Sequence, residues 1–234
     1  MNEAQKHLRP ERWEQDFKVL GLKVSDGQLA LLQAYLGLLQ RWNKTYNLTA
    51  IRDPEVMIAG HIMDSLAVVP HFAATSCLDV GSGAGLPGIP LATLFPETNF
   101  TLLDTNGKKT RFMQQAAIEL GLTNITVVQE RIEAWQPGQR FDCIISRAFS
   151  SLESFVDGAS QHLANGLEST ASPINNTFSA RQGRMLAMKG KFPVEELGKL
   201  SAGFCVAATH RLNVPGLDAE RHLIEITADT SRPA

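Results

Sequence analysis

Cysteine is scarce: Cys77, Cys143 and Cys205 are the only three among 234 residues, and each sits alone in an apolar run. Such spacing supplies neither a metal cluster nor a disulfide framework, so reduced core residues are expected and no metal is predicted. Long apolar runs are missing as well, none approaching the roughly 20 residues that cross a bilayer. The opening stretch MNEAQKHLRPERWEQ carries acids where a secretory signal needs an apolar core. A cytoplasmic protein without membrane attachment is therefore expected. Basic charge is not in excess, with 22 Lys and Arg against 24 Asp and Glu for a net charge of -2. That balance does not advertise nucleic-acid binding, although a local cluster of Arg and Lys can neutralise a few phosphates on a neutral protein.

What is present is the composition of a folded globular chain, 44% hydrophobic and 20% charged. Its length suits one α/β domain with a short appended segment. From Ser25 to Trp42, Leu29, Leu32, Leu36 and Leu39 recur at helical spacing, with Ser25 or Asp26 placed to cap the start. Asp53 as N-cap and Pro54 at the first helical position open a second helical stretch through Ile58, Ile62, Leu66 and Val69, stopped by Pro70. Residues 1–70 thus read as a helical lead-in.

At Cys77 the period changes. CLDVG, FTLLD, ITVV, FDCIISR and MLAMKG are strand-like; four of them lead into helical patterns, namely the stretch after Leu86, Lys108–Leu120, Ser151–Leu163 and Val194–Leu200. Alternation of this kind predicts a parallel sheet wrapped by helices. CVAATHRL and HLIEITA, joined by NVPGLDAER, predict an antiparallel hairpin at the sheet edge. Between them and the sheet's first part, Asn165–Arg184 is rich in Ser, Thr, Asn and Gly and reads as a surface loop.

The strongest local signal is Leu78-Asp79-Val80-Gly81-Ser82-Gly83-Ala84-Gly85-Leu86-Pro87-Gly88, a strand running into a glycine-rich turn and a helix. Glycines allow close approach of the backbone to a ligand, and a helix start offers N–H groups, so a nucleotide-like cofactor is indicated. Gly83, Gly85 and Gly88 also satisfy the dinucleotide fingerprint, a weak pattern by itself. Two features favour S-adenosylmethionine. Asp79 can face a ligand's ammonium group, and Pro87 and Pro90 crowd the helix start on which a pyrophosphate would need donors. Asp104, ending the second strand, can accept hydrogen bonds from ribose hydroxyls with either cofactor.

Several further blocks occur in one order: Arg41-Trp42-Asn43-Lys44-Thr45-Tyr46-Asn47-Leu48-Thr49, His61-Ile62-Met63-Asp64-Ser65-Leu66, the glycine loop, Leu103-Asp104, Phe141-Asp142, Ser146-Arg147-Ala148, Lys189-Gly190 and Glu220-Arg221-His222-Leu223. With them the chain resembles, over nearly its whole length, the glucose-inhibited division protein B family of bacterial 16S rRNA (guanine-N7) methyltransferases. The resemblance implies a Rossmann-like class I methyltransferase sheet over residues 71–234 behind the helical segment, S-adenosylmethionine as cofactor, and 16S rRNA or the small ribosomal subunit as partner. It also implies that Gly81 and Leu86 line the methionine side of the cofactor, that Ile132 and Glu133 face its adenine, and that Arg147 stands at the junction with substrate. Two departures stand out. Gly60 occupies a place where relatives carry a basic residue, which would remove a phosphate contact, and the loop before Met185 is long.

Cofactor contacts are thus expected from Asp79, Gly81, Gly83, Leu86, Asp104, Ile132, Glu133 and Arg147. Arg147, Lys189 and Arg221 are the candidates for holding the guanine and nearby phosphates, since open α/β sheets bind ligands at the carboxyl ends of their strands. Guanine N7 carries a lone pair and no proton, so no general base is expected. Trp42, Tyr46 and Leu48 read as packing residues between lead-in and sheet, and His61 with Asp64 as sharing one helical surface. A monomer is expected. The competing readings are a small-molecule methyltransferase, an NAD-dependent dehydrogenase and a non-catalytic RNA-binding protein.

Overall fold

A computed structural model describes residues 10–147, 149, 151–164 and 182–229. Most of the loop expected at Asn165–Arg184 lies outside the described residues, and Arg184 itself opens a strand.

Helix α1 (Pro10–Val19) precedes α2 (Asp26–Tyr46). Ser25 closes a capping box on α2: its hydroxyl accepts from the Gln28 amide at 3.3 Å while the Gln28 side-chain oxygen accepts from the Ser25 amide at 3.0 Å. Asp53 caps α3 (Pro54–Met57), accepting from the amides of Glu55 and Val56. The expected continuous helix does not follow. The chain widens into a π-helical stretch, Ile58–Met63, before one last turn, α4 (Asp64–Leu66). All of residues 57–68 are buried, so this stretch has no solvent face and its polar members must find partners inside the protein.

The sheet has seven strands in the order β3-β2-β1-β4-β5-β7-β6: β1 (Ser76–Val80), β2 (Asn99–Asp104), β3 (Ile125–Gln129), β4 (Cys143–Ser146), β5 (Arg184–Lys189), β6 (Phe204–Arg211) and β7 (His222–Ala228). The first five are parallel, and β7 runs antiparallel between β5 and β6. The predicted hairpin is therefore present, with β6 at the edge. The helices α5 (Gly88–Leu94), α6 (Gly107–Leu120) and α7 (Leu152–Ala159) wrap the faces. Residues Val194–Leu200, expected to be helical, instead form overlapping turns on the Pro193 carbonyl, which accepts from Glu196 at 2.9 Å and Leu197 at 3.3 Å. Gly198 and the neighbouring Pro193 leave too few residues to propagate a helix.

Alternation along the strands divides the core. Leu78 and Val80 pack with Ile144, Phe155 and Met185 on one face, whereas Cys77, Leu102 and Ile145 join the larger core formed with the lead-in helices. There α2 lies against α5 and α6. The Trp42 ring meets Phe112 edge-on at 5.6 Å, Leu48 is buried, and Tyr46 remains largely exposed while packing on Trp42. Cys77 and Cys143 are free thiols in the core, and Cys205 is free and partly covered. No helix among the described residues is long and apolar enough to cross a membrane.

Candidate active site

The site begins where β1 stops. The glycine loop continues the pairing with β2, since the amides of Gly81 and Ser82 both donate to the Leu103 carbonyl, at 2.8 and 3.1 Å. Gly81, Gly83 and Gly85 take φ values of 69°, 60° and 84°, a region that costs other residues side-chain strain. Gly88 is required for a different reason: a Cβ there would collide with Leu102 and stand 2.7 Å from Asp79 Oδ2. Tyr35 on α2 fixes the loop from above, its hydroxyl donating to the Ala84 carbonyl at 2.6 Å.

Asp79 is fully buried, and its Oδ2 accepts from the Gly88 amide at 2.8 Å. Its Oδ1 is buried without a hydrogen-bond partner among the described residues. Burial raises the carboxyl to about 7, with the Gly88 amide and the Arg147 charge pulling the other way. A buried acceptor left vacant beside a glycine loop suits a cationic ligand group. The start of α5 suits a pyrophosphate poorly. Pro87 and Pro90 have no N–H, the Gly88 amide is held by Asp79, and the Ile89 and Leu91 amides donate to Gly85 and Pro87.

Beside the loop lies a cleft of about 240 Å³ lined by Val80, Gly81, Leu103, Asp104, Thr105, Arg131, Ile132, Glu133 and Phe149. Asp104 stands at its base, with Oδ2 accepting from Gly83 and Oδ1 from Asn106, each at 2.8 Å, and with the Lys109 ammonium 4.0 Å from Oδ2. Ile132 is a buried apolar wall and Glu133 is exposed at the rim. Leu86 sits elsewhere: its side chain is buried in the larger core and is not part of the cleft lining. Thr105, Arg131 and Phe149 are cleft residues with no periodic signal in the sequence, because they lie in connections that follow strands.

The three candidate cations divide into two groups. Arg147, just past β4, donates from Nη1 to Asp64 Oδ2 at 3.1 Å and to the Gly60 carbonyl at 3.3 Å. Arg221 donates from Nε to Asp64 Oδ1 at 2.9 Å. Lys189 stands apart, paired with Glu196 at 2.9 Å, and Glu196 also accepts from the Leu152 amide. Gly60 is buried, and a Cβ there would press on Ile51 at 3.2 Å, so position 60 faces the interior.

His61 is buried and shares the Gly60 carbonyl with Arg147. Its Nε2 lies 2.9 Å from Thr49 Oγ1 and its Nδ1 3.0 Å from the Gly60 carbonyl. The Gly60 carbonyl can only accept, so Nδ1 carries the ring proton and Nε2 of the neutral ring accepts from the Thr49 hydroxyl. Burial and the Arg147 charge lower this histidine to about 4. Asn43 holds the same segment, donating to the Ile51 carbonyl and accepting from the Thr49 amide. Its place within the block from Arg41 to Thr49 was the only sequence signal for that role.

Residues 28–224 match the family described as rRNA small subunit methyltransferase G, GidB. The ribosomal RNA small subunit methyltransferase G of Ectopseudomonas mendocina (strain ymp) is 49% identical over 226 residues, covering 96% of this chain and 97% of that one. Among solved structures, the glycopeptide N-methyltransferase MtfA aligns with a TM-score of 0.55 at 13% identity, over 74% of this chain and 98% of that one. The N-methyltransferase NodS of Bradyrhizobium japonicum WM9, solved with S-adenosyl-L-homocysteine, aligns with a TM-score of 0.51 at 12% identity, over 82% of this chain and 98% of that one. At such identities the structural likeness speaks for the fold, a class I methyltransferase sheet.

Proposed function

Because the chain belongs to the rRNA small subunit methyltransferase G family and is a methyltransferase, we propose that it moves a methyl group from S-adenosylmethionine to N7 of a guanine in 16S rRNA. The observation that carries the cofactor half of this reading is Asp79 Oδ1, a buried carboxylate oxygen without a partner among the described residues at the mouth of the glycine loop. It would accept from the ammonium of the methionine part. Asp104 would accept from ribose hydroxyls with its remaining lone pairs, while Ile132 and Phe149 would flank the adenine and Glu133 its edge. Gly81 and Gly83 would admit the ligand close to the main chain, and Leu86 could contribute only through its own main chain.

Bound S-adenosylmethionine supplies an electrophilic methyl group. The protein's remaining task is to hold guanine N7 in line with it, for which alignment and charge matter more than proton transfer. Arg147 and Arg221 would hold the base, with Lys189 serving nearby phosphates at the ends of β4 and β5. The lead-in helices would shape the RNA-facing side. The partner is 16S rRNA or the small ribosomal subunit, and the enzyme works in the cytoplasm as a monomer.

The decisive experiment maps N7-methylguanine in 16S rRNA from cells with and without the gene. A site methylated only when the gene is present is the expected result. Unchanged rRNA, together with transfer of labelled methyl to a small molecule by the purified protein, would favour the small-molecule reading. RNA binding without transfer would favour the non-catalytic one.

A further inference from the structure

Asp64 lies where three separate parts of the chain meet. It follows the π-helical stretch, it is 2% exposed in its side chain, and both of its oxygens are spent on arginines far away in sequence. Oδ2 receives Arg147 Nη1 from the end of β4, and Oδ1 receives Arg221 Nε from the connection leading into β7. Each guanidinium is held a second time, Arg147 by the Gly60 carbonyl and Arg221 Nη1 by the Glu220 carbonyl at 2.8 Å. Two attachment points fix the plane of a guanidinium, whereas one leaves it free to swing. The Nη2 group of neither arginine is bonded to a described residue.

Stability alone is a weak reason for this arrangement. Burying a carboxylate between two guanidiniums carries a desolvation cost that its attraction only partly offsets, and apolar packing of equal volume would often serve as well. Two positive charges against one leave the cluster with an excess positive charge, suited to the O6 acceptor of a guanine while the N7 lone pair stays free to attack. The cluster also stands close to the cofactor loop, for Arg147 follows Ser146, whose hydroxyl donates at 2.8 Å to the Val80 carbonyl at the end of β1. The widened π-helical turn immediately before Asp64 is a departure from regular helix of the kind found where a side chain must be aimed.

We propose that Asp64 is a positioning residue for methyl transfer, holding Arg147 and Arg221 as a preoriented pair that grips the substrate guanine beside the cofactor. The inference rests on the function proposed above. Asp64 itself touches neither substrate nor cofactor in this scheme, so its effect must pass through the two arginines.

The test uses the full-length protein, labelled S-adenosylmethionine and small ribosomal subunits from cells lacking the gene. Asp64→Asn should lower the single-turnover rate about tenfold to a hundredfold, as expected of misaligned reactants, while the cofactor dissociation constant moves less than about threefold. In an Arg147→Gln, Arg221→Gln background the same substitution should change the rate less than about twofold, because the groups it acts through are gone. A role in folding alone would add its full effect in that background and would overturn the proposal. Should Asp64→Asn fail to fold, the arginines carry the test. Rate losses of Arg147→Gln and Arg221→Gln that are strongly non-additive support a shared anchor, and additive losses overturn it. A wild-type protein that labels neither the subunit nor the protein-free 16S rRNA extracted from it overturns the proposed function and this inference together. An active wild type whose rate Asp64→Asn leaves unchanged overturns the inference alone.

Discussion

The Gly83 amide donates to Asp104 Oδ2 at 2.8 Å, so the carboxylate that ends β2 also shapes the glycine loop that follows β1. The adjoining Asn106 amide, on the start of the connection to α6, is held by Oδ1. Asp104 therefore acts on a cofactor twice, through ribose hydroxyls and through the loop that admits the ligand. Asp104→Ala should weaken S-adenosylmethionine binding at least about tenfold, since charge-assisted bonds contribute about 1.5–3 kcal/mol each. Calorimetric titration checks this, and an unchanged dissociation constant would sink the assignment.

Much of that geometry was legible in the sequence because its causes are local. Asp53 and Pro54 announce a helix start within four residues, and the alternation of Leu78 and Val80 against Cys77 and Asp79 is a property of one strand. The ends of β1 and β2 could be read from where the glycine turn begins after Val80 and where the apolar run stops at Asp104. What could not be read is set by distant packing. Asp64 is separated by 83 residues from Arg147 and by 157 from Arg221, and no periodicity records such a meeting. The π-helical turn, buried on all sides, likewise has no signature in the local sequence. Phe149 and Arg131 reach the cleft from irregular connections, where spacing carries no information.

His61 and Asp79 should make opposing contributions to the pH dependence of stability. Burial brings His61 down from 6.5 to about 4, so between these values the unfolded chain binds the extra proton and stability is lost as pH falls. Burial brings Asp79 up from 3.8 to about 7, so in that window the folded chain binds the extra proton and stability is lost as pH rises. The effects are on the order of 3 kcal/mol for His61 and 4 kcal/mol for Asp79 across their windows. Relative to the wild type, ligand-free Asp79→Asn should gain stability on going from pH 4.5 to 6.5, and His61→Gln should lose it. Urea unfolding midpoints at three pH values decide the matter; parallel curves for all three proteins would show that neither group titrates as described.

Gly88→Ala should damage the site without any change of charge. The added methyl group would collide with Leu102 and press on the Asp79 carboxylate, both of them in a packed core. Overpacking of this kind costs about 1–3 kcal/mol, and relief by a shift of α5 would break the Gly88 to Asp79 bond. Both a lower thermal midpoint and weaker cofactor binding are expected. Gly121→Ala is the control: its φ of 64° strains any side chain, yet nothing lies within 4 Å, so stability should fall while cofactor affinity holds. Equal loss of affinity in both variants would contradict the steric argument.

Methyl transfer itself should proceed without a protein base, because guanine N7 has no proton to lose. Methylation at an oxygen or at a protonated nitrogen would need a side chain to take that proton, and its titration would appear in the rate profile. His61 is not placed for such work. Both ring nitrogens are engaged, and at about 4 its conjugate acid is absent at neutral pH while its lone pair is held by Thr49. Asp64 is spent on two guanidiniums. Under single-turnover conditions, with saturating RNA and cofactor, the rate constant should stay nearly flat from mildly acidic to mildly alkaline pH. Cofactor affinity should behave differently, strengthening as Asp79 ionises around pH 7 and losing that dependence in Asp79→Asn. His61→Ala should act through RNA positioning or stability, and Arg147→Ala should lower the flat rate by disturbing the alignment of base and methyl group. A log-linear rise of the saturated rate with pH, abolished by replacing one histidine or carboxylate, would mean that a base is at work and that the methylated atom is not guanine N7.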